Sequence, residues 1–442
     1  MEIIIKVAQL LLSLSILVVV HEFGHFLFAK LFKTRVEKFY LFFDPWFSLF
    51  KFKKGDTEYG IGWLPLGGYV KIAGMIDESM DKEQMKQPPK PDEFRSKTTG
   101  QRLLIMVGGV LFNLILAVII YASVLKVWGE EYLPLENMKY GVVAESTAMD
   151  MGIQHGDKIL SIDNQKIDKF TAITSHLLLN EAQTIQIERN GERIELAVPK
   201  EIIPRLIKGE PFLSPRFPFI IEEFAKESAG KAAGILPGDR VLGIDTLDTP
   251  FFDQFRSVGT NYKNKTTPVK VLRGSDTLSF EVAIPESGLI GARPNIDDVF
   301  ELKVVEYGFM AAIPAGIKKA VKVGQDYLKQ FKLLFNPETK AYESLGGFIA
   351  IGSIFPSVWD WQSFWNLTGF LSIMLAILNI LPIPALDGGH VMFLMYEIIT
   401  RRKPSEKFME YAQMVGIFLL LALLLFANGN DVYKWINDLM QN

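Results

Sequence analysis

The chain has 442 residues, of which 49% are hydrophobic and 22% are charged, and its mean hydropathy is +0.19. It is too apolar for an ordinary soluble protein and too mixed for a pure transporter, so we expect membrane spans joined to soluble modules. The net charge of −3 argues against a nucleic-acid partner. Because cysteine is absent, disulfides and thiolate metal sites are excluded, and a metal must be held by His, Asp or Glu.

The first predicted element is a membrane helix over residues 1–32, which carries a His-Glu-x-x-His motif from His21 to His25. Residues four apart share one face of a helix, so His21 and His25 can hold the same Zn²⁺ ion. Glu22 can then act as the base that takes a proton from water at the metal. The apolar run lacks a signal-peptide cleavage pattern and continues into the motif. We therefore expect a retained span with a metal site inside the membrane.

Residues 33–102 are predicted to form a cytoplasmic loop with a membrane-associated β-element at about residues 57–75. That segment is rich in glycine, aromatic and β-branched residues, which favours strands and tight turns. Such backbone is tolerated at membrane depth only where protein or water satisfies its polar groups, and a surface hairpin is the alternative. A polar stretch over residues 75–99 leads to the second predicted span, residues 103–127. Asn113 in this span is expected to bridge helices, with substrate contact as the alternative.

An internal repeat follows the second span. The pattern Gly-Ile-x-x-Gly-Asp-x-Ile/Val-Leu-x-Ile-Asp begins at Gly152 and again at Gly234, 82 residues later. Its Gly-Asp step supplies a tight turn, and the alternating apolar residues that follow favour a half-buried strand. The pattern resembles the PDZ domain and predicts two PDZ-like α+β domains at residues 138–200 and 214–286. PDZ domains bind extended peptides by adding a strand to a sheet edge; a purely structural pair is the alternative.

The third predicted span covers residues 364–395 and supplies a candidate third ligand. A catalytic zinc site takes three protein ligands and keeps one open position. Asp387 is a carboxylate in an apolar helix, where charged groups are rarely without a function. His390 on the same stretch is the alternative ligand, and a helix kink without chemistry is the other alternative. Since Asp387 follows His21 by 366 residues, two spans must pack together to assemble the site.

The residues around this carboxylate are candidates for local geometry and substrate contact. Pro382 and Pro384 interrupt helix regularity, and Gly388-Gly389 permit close backbone approach. Asn379 can donate a hydrogen bond to a substrate carbonyl or an oxyanion. It can equally bridge two helices.

A fourth span is predicted at residues 410–428, followed by an external tail at residues 429–442. An amphipathic, membrane-edge helical region at residues 300–360 lies either on the membrane surface or packed under the repeats. Lys and Arg are concentrated after the first span, before the second, and between the third and fourth. These loops should be cytoplasmic. The metal site then lies toward the cytoplasmic side, and the repeats and both termini lie outside.

Together these features resemble the site-2 protease family of intramembrane zinc metalloproteases, most closely its bacterial branch of regulator of sigma-E proteases. The matching motifs are His21-Glu22-x-x-His25, Gly67-Gly68-Tyr69-Val70-Lys71, the tandem PDZ-like domains and Asn379-x-x-Pro382-x-Pro384-x-x-Asp387-Gly388. The resemblance covers nearly the whole chain in order. It implies a multi-pass α-helical membrane protein of the bacterial inner membrane, with four transmembrane helices, a membrane-associated β-element and two PDZ-like α+β domains.

The resemblance also implies roles for individual residues. The zinc ligands are His21, His25 and Asp387, the catalytic base is Glu22, and the candidates for substrate binding are Gly67, Gly68, Tyr69, Asn379, Pro382 and Pro384. The implied substrates are single-pass membrane proteins, namely anti-sigma factors already trimmed outside the membrane and remnant signal peptides. Their cleavage implies regulated intramembrane proteolysis and envelope stress signalling. The tandem is implied to exclude untrimmed substrates, and the β-element to hold substrate as an added strand.

Two departures from the family pattern concern local geometry rather than chemistry. Gly108-Gly109 stand where many members have Gly-Pro, and Phe348 stands where Pro is common.

Two other functions compete with proteolysis: a PDZ scaffold or chaperone with a structural metal, and a metal transporter. The intact Glu22 argues against the first, because a structural site needs no base. The large peptide-binding domains fit a transporter poorly.

Overall fold

The computed structural model describes residues 2–65, 67–75, 87–296, 298–337, 339 and 341–441. The chain divides into two compact units. The helical unit comprises Met1–Gly129, Glu306–Lys332 and Tyr342–Asn442, and the repeat unit comprises Glu130–Val305 and Leu333–Ala341.

The elements follow in chain order. The described α-helices are α1 (Glu2–Leu31), α2 (Thr99–Trp128), α3 (Ser146–Asp150), α4 (Ala172–Leu179), α5 (Ile202–Ile207), α6 (Ala229–Ala232), α7 (Phe252–Gly259), α8 (Phe309–Leu334), α9 (Phe348–Ser353), α10 (Trp361–Asn379), α11 (Asp387–Thr400) and α12 (Glu406–Gln441). The described strands are β1 (Val36–Leu41), β2 (Phe43–Lys54), β3 (Thr57–Leu64), β4 (Tyr69–Ile72), β5 (Glu130–Tyr132), β6 (Val142–Ala144), β7 (Lys158–Ile162), β8 (Gln165–Lys166), β9 (Thr184–Arg189), β10 (Glu192–Ala197), β11 (Leu213–Pro215), β12 (Ile221–Phe224), β13 (Arg240–Ile244), β14 (Leu247–Asp248), β15 (Thr266–Arg273), β16 (Asp276–Ala283), β17 (Ala292–Pro294) and β18 (Lys303–Val305).

Four of the described helices, α1, α2, α10 and α12, are long and apolar enough to cross a membrane. A helix satisfies its backbone polar groups internally, which is what a lipid environment requires. The prediction of four such helices is confirmed. Helix α2 begins four residues before its predicted start at 103 because Thr98 caps it. The Thr98 hydroxyl accepts from the Gln101 N–H, and the Gln101 side chain accepts from the Thr98 N–H.

The third predicted span, 364–395, is not one helix. It consists of α10 and α11, with an irregular segment over residues 380–386. Pro382 and Pro384 lack backbone N–H groups and cannot continue the helical ladder, and Ala385 has φ of +87°. The expectation of a helix that runs past Asp387 was therefore wrong: Asp387 is the first residue of a new helix.

The predicted external tail, 429–442, belongs to α12 as far as residue 441. Polar side chains of this last part of the helix bind the start of α9. Asp431 Oδ2 accepts from the N–H groups of Gly347, Ile349 and Ala350, each at 3.0 Å. These tertiary hydrogen bonds hold the end of α12 in place, which no local sequence signal indicates.

The β-element of the helical unit is larger than predicted. It begins at Val36 rather than near residue 57, and its four strands have the order β2-β3-β1-β4. Strands β2 and β4 are therefore its edges. Strand β2 exposes large apolar side chains, among them Trp46, which is 91% exposed, as expected of a surface that meets lipid. Of the predicted polar stretch 75–99, residues 76–86 lie outside the described residues.

In the repeat unit the two copies of the sequence repeat fold alike. Their sheets have the orders β10-β9-β7-β8 and β14-β13-β15-β16. An aspartate after each turn glycine binds an arginine on the third strand of its own copy. Arg189 Nη2 lies 2.7 Å from Asp157 Oδ2, and Arg273 Nη2 lies 2.7 Å from Asp239 Oδ2. The likeness to PDZ domains stays a prediction.

The region predicted as 300–360 contains the amphipathic helix α8. Gly316 packs so closely on α2 that a Cβ at this position would lie 2.6 Å from the backbone nitrogen of Ala122. Other apolar side chains of α8, such as Met310 at 79% exposed, remain uncovered. One face is thus packed against a spanning helix, and the other leaves an apolar surface suited to the membrane interface.

Candidate active site

Three potential ligand atoms from α1 and α11 converge on one point. His21 Nε2 lies 3.1 Å and His25 Nε2 lies 3.3 Å from Asp387 Oδ2, and the two Nε2 atoms are 3.2 Å apart. A tetrahedral zinc ion with bonds of about 2.0–2.2 Å separates its ligand atoms by roughly 3.3–3.6 Å. The three atoms are therefore spaced almost as zinc requires.

The environment of Asp387 also fits a cation. Apart from the two imidazoles, its buried Oδ2 has no polar partner among the described residues, and a buried charge is costly unless it is paired. The two histidines beside it are each only 7% exposed. Two imidazoles and one carboxylate form a donor set that zinc uses in catalytic sites, where a fourth position is left for water or substrate. These residues fit the metal that the sequence predicts.

The irregular segment between α10 and α11 places the carboxylate. Asp387 lies in the first turn of α11, where the positive end of the helix dipole favours a negative charge. Gly388 lets the segment fold back on itself, since a Cβ there would lie 2.1 Å from the Leu381 carbonyl oxygen. The predicted close backbone approach at this glycine is confirmed.

Helix α2 packs on the other side of the two imidazoles. A Cβ at Gly109 would lie 2.5 Å from His25 Nε2 and 2.6 Å from His21 Cε1. His25 Nδ1 lies 2.8 Å from the carbonyl oxygen of Ile105, so an Nδ1–H donates there while Nε2 faces the metal position. The Gly108-Gly109 pair thus leaves space for the two imidazoles. From the sequence, this pair was interpreted only as a departure from the Gly-Pro of many family members.

The candidate base Glu22 meets the edge strand β4. Glu22 lines the same cavity as the β4 residues Tyr69, Val70 and Lys71. Gly68 permits this approach, because a Cβ there would lie 2.7 Å from Val18 Cγ1 and 3.6 Å from Glu22 Cγ. Strand β4 therefore passes directly beside the site.

Gly67 and Tyr69, both predicted to contact substrate, serve the sheet itself. Gly67 has φ of +145°, a conformation that favours glycine. Tyr69 Oη donates to Asp44 Oδ1 at 2.8 Å, and its ring stacks on those of Tyr40 and Phe43. A contact of these residues with substrate stays a prediction, and for Tyr69 the backbone is better placed for it than the ring.

Asn379 lies close to the converging ligand atoms, whereas the two prolines shape the segment after it. Asn379 Nδ2 is 3.3 Å from His21 Nε2, close enough to donate to a group bound between the ligands. Pro382 and Pro384 lie in the irregular segment. Pro384 packs against α12, where a Cβ at Gly416 would lie 1.5 Å from its carbonyl oxygen.

A cavity of about 630 Å³ opens onto the three ligands and Glu22, and part of β4 lines it. His390 also lines this cavity but is outside the group of ligand atoms that converge. Gln413 of α12 lines it as well and is 3% exposed. The sequence analysis did not identify Gln413. A polar side chain within the predicted fourth span, residues 410–428, could have indicated it.

The remaining two histidines belong to the repeat unit. His155 Nδ1 accepts a hydrogen bond from the Ala144 N–H at 3.2 Å, and His176 Nδ1 lies 3.1 Å from Asn180 Nδ2. Neither contributes an atom to the converging group of ligands.

Comparison with known proteins assigns the family. The model of peptidase family M50 matches residues 9–423, nearly the whole chain. This chain belongs to peptidase family M50. The resemblance to the site-2 proteases that the motifs indicated is therefore confirmed.

Relatives of this M50 peptidase align along nearly its full length. RseP, the regulator of sigma-E protease of Escherichia coli, is 28% identical over 450 residues, which cover 96% of this chain and 97% of that protein. A protein of Campylobacter jejuni is 29% identical and covers 97% of this chain and 93% of its own length. One of Rickettsia conorii is 27% identical, with coverage of 97% and 98%. Both are named "Putative zinc metalloprotease".

Proposed function

We propose that this M50 peptidase is a zinc metallopeptidase that hydrolyses peptide bonds within the transmembrane segments of single-pass membrane proteins. The observation that carries the proposal is the convergence of His21, His25 and Asp387 in one cavity with Glu22. Both histidines and Glu22 lie on α1, which is apolar enough to cross a membrane. Relatives named as zinc metalloproteases support the choice of metal.

The residues of the site divide the reaction among them. A bound zinc ion would supply the Lewis acid that polarises the peptide carbonyl and makes water acidic enough to ionise near neutral pH. Glu22 accepts the proton of the attacking water and then gives it to the nitrogen of the leaving amine as the C–N bond breaks. Asn379 donates from Nδ2 to the carbonyl oxygen as that oxygen gains negative charge.

A Glu22→Gln substitution tests this assignment. Gln cannot take the proton, so the cleavage rate of a single-pass substrate in proteoliposomes should fall by about 10²–10⁴-fold. Zinc content should remain, because Glu22 is not a ligand. Glu2→Gln, an exposed substitution on the same helix, is the matched control and should cleave normally. Unchanged cleavage by the Glu22→Gln protein would overturn the proposal.

Strand β4 is our candidate for the surface that holds the substrate. A helical substrate hides its carbonyl groups in its own hydrogen bonds, and pairing with an edge strand would keep it extended. Among the described strands β4 has a sheet partner, β1, on one side only, and Glu22 lies against this strand. The substrate would thereby pass the base in an extended conformation.

Disulfide trapping tests this surface, because the chain contains no cysteine. We expect Lys71→Cys on β4 to crosslink to a cysteine placed near the scissile bond of a substrate held by the Glu22→Gln protein. Phe52→Cys on the opposite edge strand β2 is exposed to 50% and serves as the control. Equal trapping at both edges would exclude β4 as the specific site.

We propose two classes of natural substrate. RseP of Escherichia coli is named a regulator of sigma-E protease, which supports trimmed anti-sigma factors as a substrate class. Remnant signal peptides are a second class of suitable size.

We also propose a bacterial inner-membrane location, with the site toward the cytoplasmic side and the repeat unit and termini outside, as the Lys/Arg distribution indicates. The two repeats would then exclude untrimmed substrates.

A further inference from the structure

Asn113 of α2 lies against the imidazole of a metal-binding histidine. Its side-chain amide nitrogen is 3.2 Å from His21 Nδ1, and the residue is fully buried. Its backbone carbonyl oxygen accepts a hydrogen bond from Ser372 Oγ of α10 at 2.8 Å. The residue is therefore held by α10 through its backbone and meets α1 through its side chain.

The hydrogen-bonding chemistry of this contact determines which way the amide must face. A histidine that presents Nε2 to a metal carries its proton on Nδ1, and that proton needs an acceptor. An amide nitrogen cannot accept it. Asn113 Oδ1, meanwhile, has no partner among the described residues. The nitrogen and oxygen of an amide are alike in shape, and a rotation by about 180° exchanges them. That rotation gives both His21 Nδ1–H and Asn113 Oδ1 a partner.

We propose that Asn113 is a positioning residue whose Oδ1 accepts a hydrogen bond from His21 Nδ1–H and so directs Nε2 to the metal. This inference rests on the proposed zinc function. The other histidine supports it, since His25 Nδ1 meets the carbonyl oxygen of Ile105, also on α2. Helix α2 would then orient both imidazoles without contributing a ligand, and its role extends beyond packing.

The competing role for Asn113 is that of a donor that bridges helices through its NH₂ group. An aspartate at position 113 distinguishes the two roles, because it can replace the acceptor of Asn113 but not its donor. Aspartate keeps the acceptor oxygen and loses the donor, and carboxylate–histidine–zinc arrangements are common in zinc proteins. Asn113→Asp should therefore keep the metal site if the acceptor matters and impair it if the donor matters.

The experiment measures the apparent zinc dissociation constant of the full-length protein in detergent by chelator competition. Asn113→Ala should bind zinc about 10–100-fold more weakly than the wild type, and Asn113→Asp should bind it nearly as tightly as the wild type. Leu114→Ala, at the next position and 42% exposed, is the matched control and should not change zinc binding.

Equal zinc affinity in the wild type and Asn113→Ala would overturn this inference and leave the proposed function intact. So would equal losses in Asn113→Ala and Asn113→Asp with the fold preserved. A wild type that binds no zinc would instead refute the proposed function. If Asn113→Ala does not fold, ¹⁵N spectra of the histidine-labelled wild type decide: His21 should be protonated at Nδ1 with zinc bound, and protonation at Nε2 would overturn the inference.

Discussion

Gly109 shows how a residue without a side chain can shape the proposed metal site. The motif from His21 to His25 places two imidazoles on one helix face, but they fit only if the facing helix leaves space. At Gly109 a Cβ would lie 2.5 Å from His25 Nε2, well inside van der Waals contact. The neighbouring position Gly108 is equally close to α1, because a Cβ there would lie 2.7 Å from the Gly24 carbonyl oxygen. Two glycines thus set the distance between α1 and α2.

Gly109→Ala should therefore weaken zinc binding. Overpacking in a close-packed interior costs about 1–3 kcal/mol, so we expect the apparent zinc dissociation constant to rise by about 5- to 150-fold. Gly100→Ala is the matched control on the same helix, because a Cβ at Gly100 meets nothing within 4 Å. Chelator competition on both variants checks the prediction, and equal zinc affinity would show that the imidazoles tolerate the methyl group.

Among the secondary-structure elements, the interruption between α10 and α11 determines where the candidate ligand Asp387 lies. An unbroken helix would satisfy its own backbone but would place Asp387 within a regular turn. The irregular segment instead makes it the first residue of a new helix, where the helix dipole stabilises its charge. Ala385, with φ of +87°, carries backbone strain of the kind found at functional sites. The break therefore belongs to the chemistry of the site.

In the repeat unit, an ion pair links the turn before β13 to the end of β15. The hydrogen bond from the Arg273 guanidinium holds the pKa of the Asp239 carboxyl below its ordinary value. A carboxyl whose pKa is lowered by folding adds stability above its unfolded pKa of about 3.9, and this stability is lost as the pH falls through the folded pKa. Acid below about pH 4 should thus loosen this copy of the repeat.

Hydrogen exchange of the β13 and β15 amides in the full-length protein, corrected for intrinsic pH dependence, measures this loss. Asp239→Asn should exchange faster than the wild type at neutral pH and show a smaller change on acidification. Asp276→Asn, in the exposed hairpin after β15, is the control and should follow the wild type. An acid response in Asp239→Asn equal to that of the wild type would assign the loosening to other groups.

The chain combines a proposed hydrolytic centre in its helical unit with a second unit that contains two copies of a PDZ-like sequence pattern. The helical unit holds every residue that we assign to the chemistry, whereas the repeat unit holds none of them. A separate unit without catalytic groups is suited to select substrates rather than to cleave them. We therefore assign the proposed exclusion of untrimmed substrates to the repeat unit.

We expect the wild type to cleave a single-pass substrate faster when its external domain has been removed than when it is intact. A tenfold ratio of kcat/KM would correspond to about 1.4 kcal/mol of discrimination. The assay compares both substrate forms in proteoliposomes, with the Glu22→Gln protein as the background. Equal rates for the two forms would contradict a role of the repeats as a size filter.

The amino-acid sequence is sufficient to predict several local features of this protein. Hydropathy indicates spanning helices because lipid requires long apolar segments with internal hydrogen bonds. The spacing of His21 and His25 predicts a shared metal because a helix brings residues four apart together. The repeat can be recognised in the sequence because its turns require glycine at fixed positions. Asp387 was predicted as the third ligand because a carboxylate in an apolar segment is rarely without a function.

How these parts meet depends on tertiary contacts that the sequence does not reveal. The extension of the sheet back to Val36, the course of α12 through residues 429–441, and the place of Gln413 at the cavity all depend on contacts between residues distant in sequence. The same holds for Asn113 and Gly109, which act on imidazoles that belong to another helix. Local propensity cannot report such contacts, because the partner that gives each residue its role is supplied only when the helices pack.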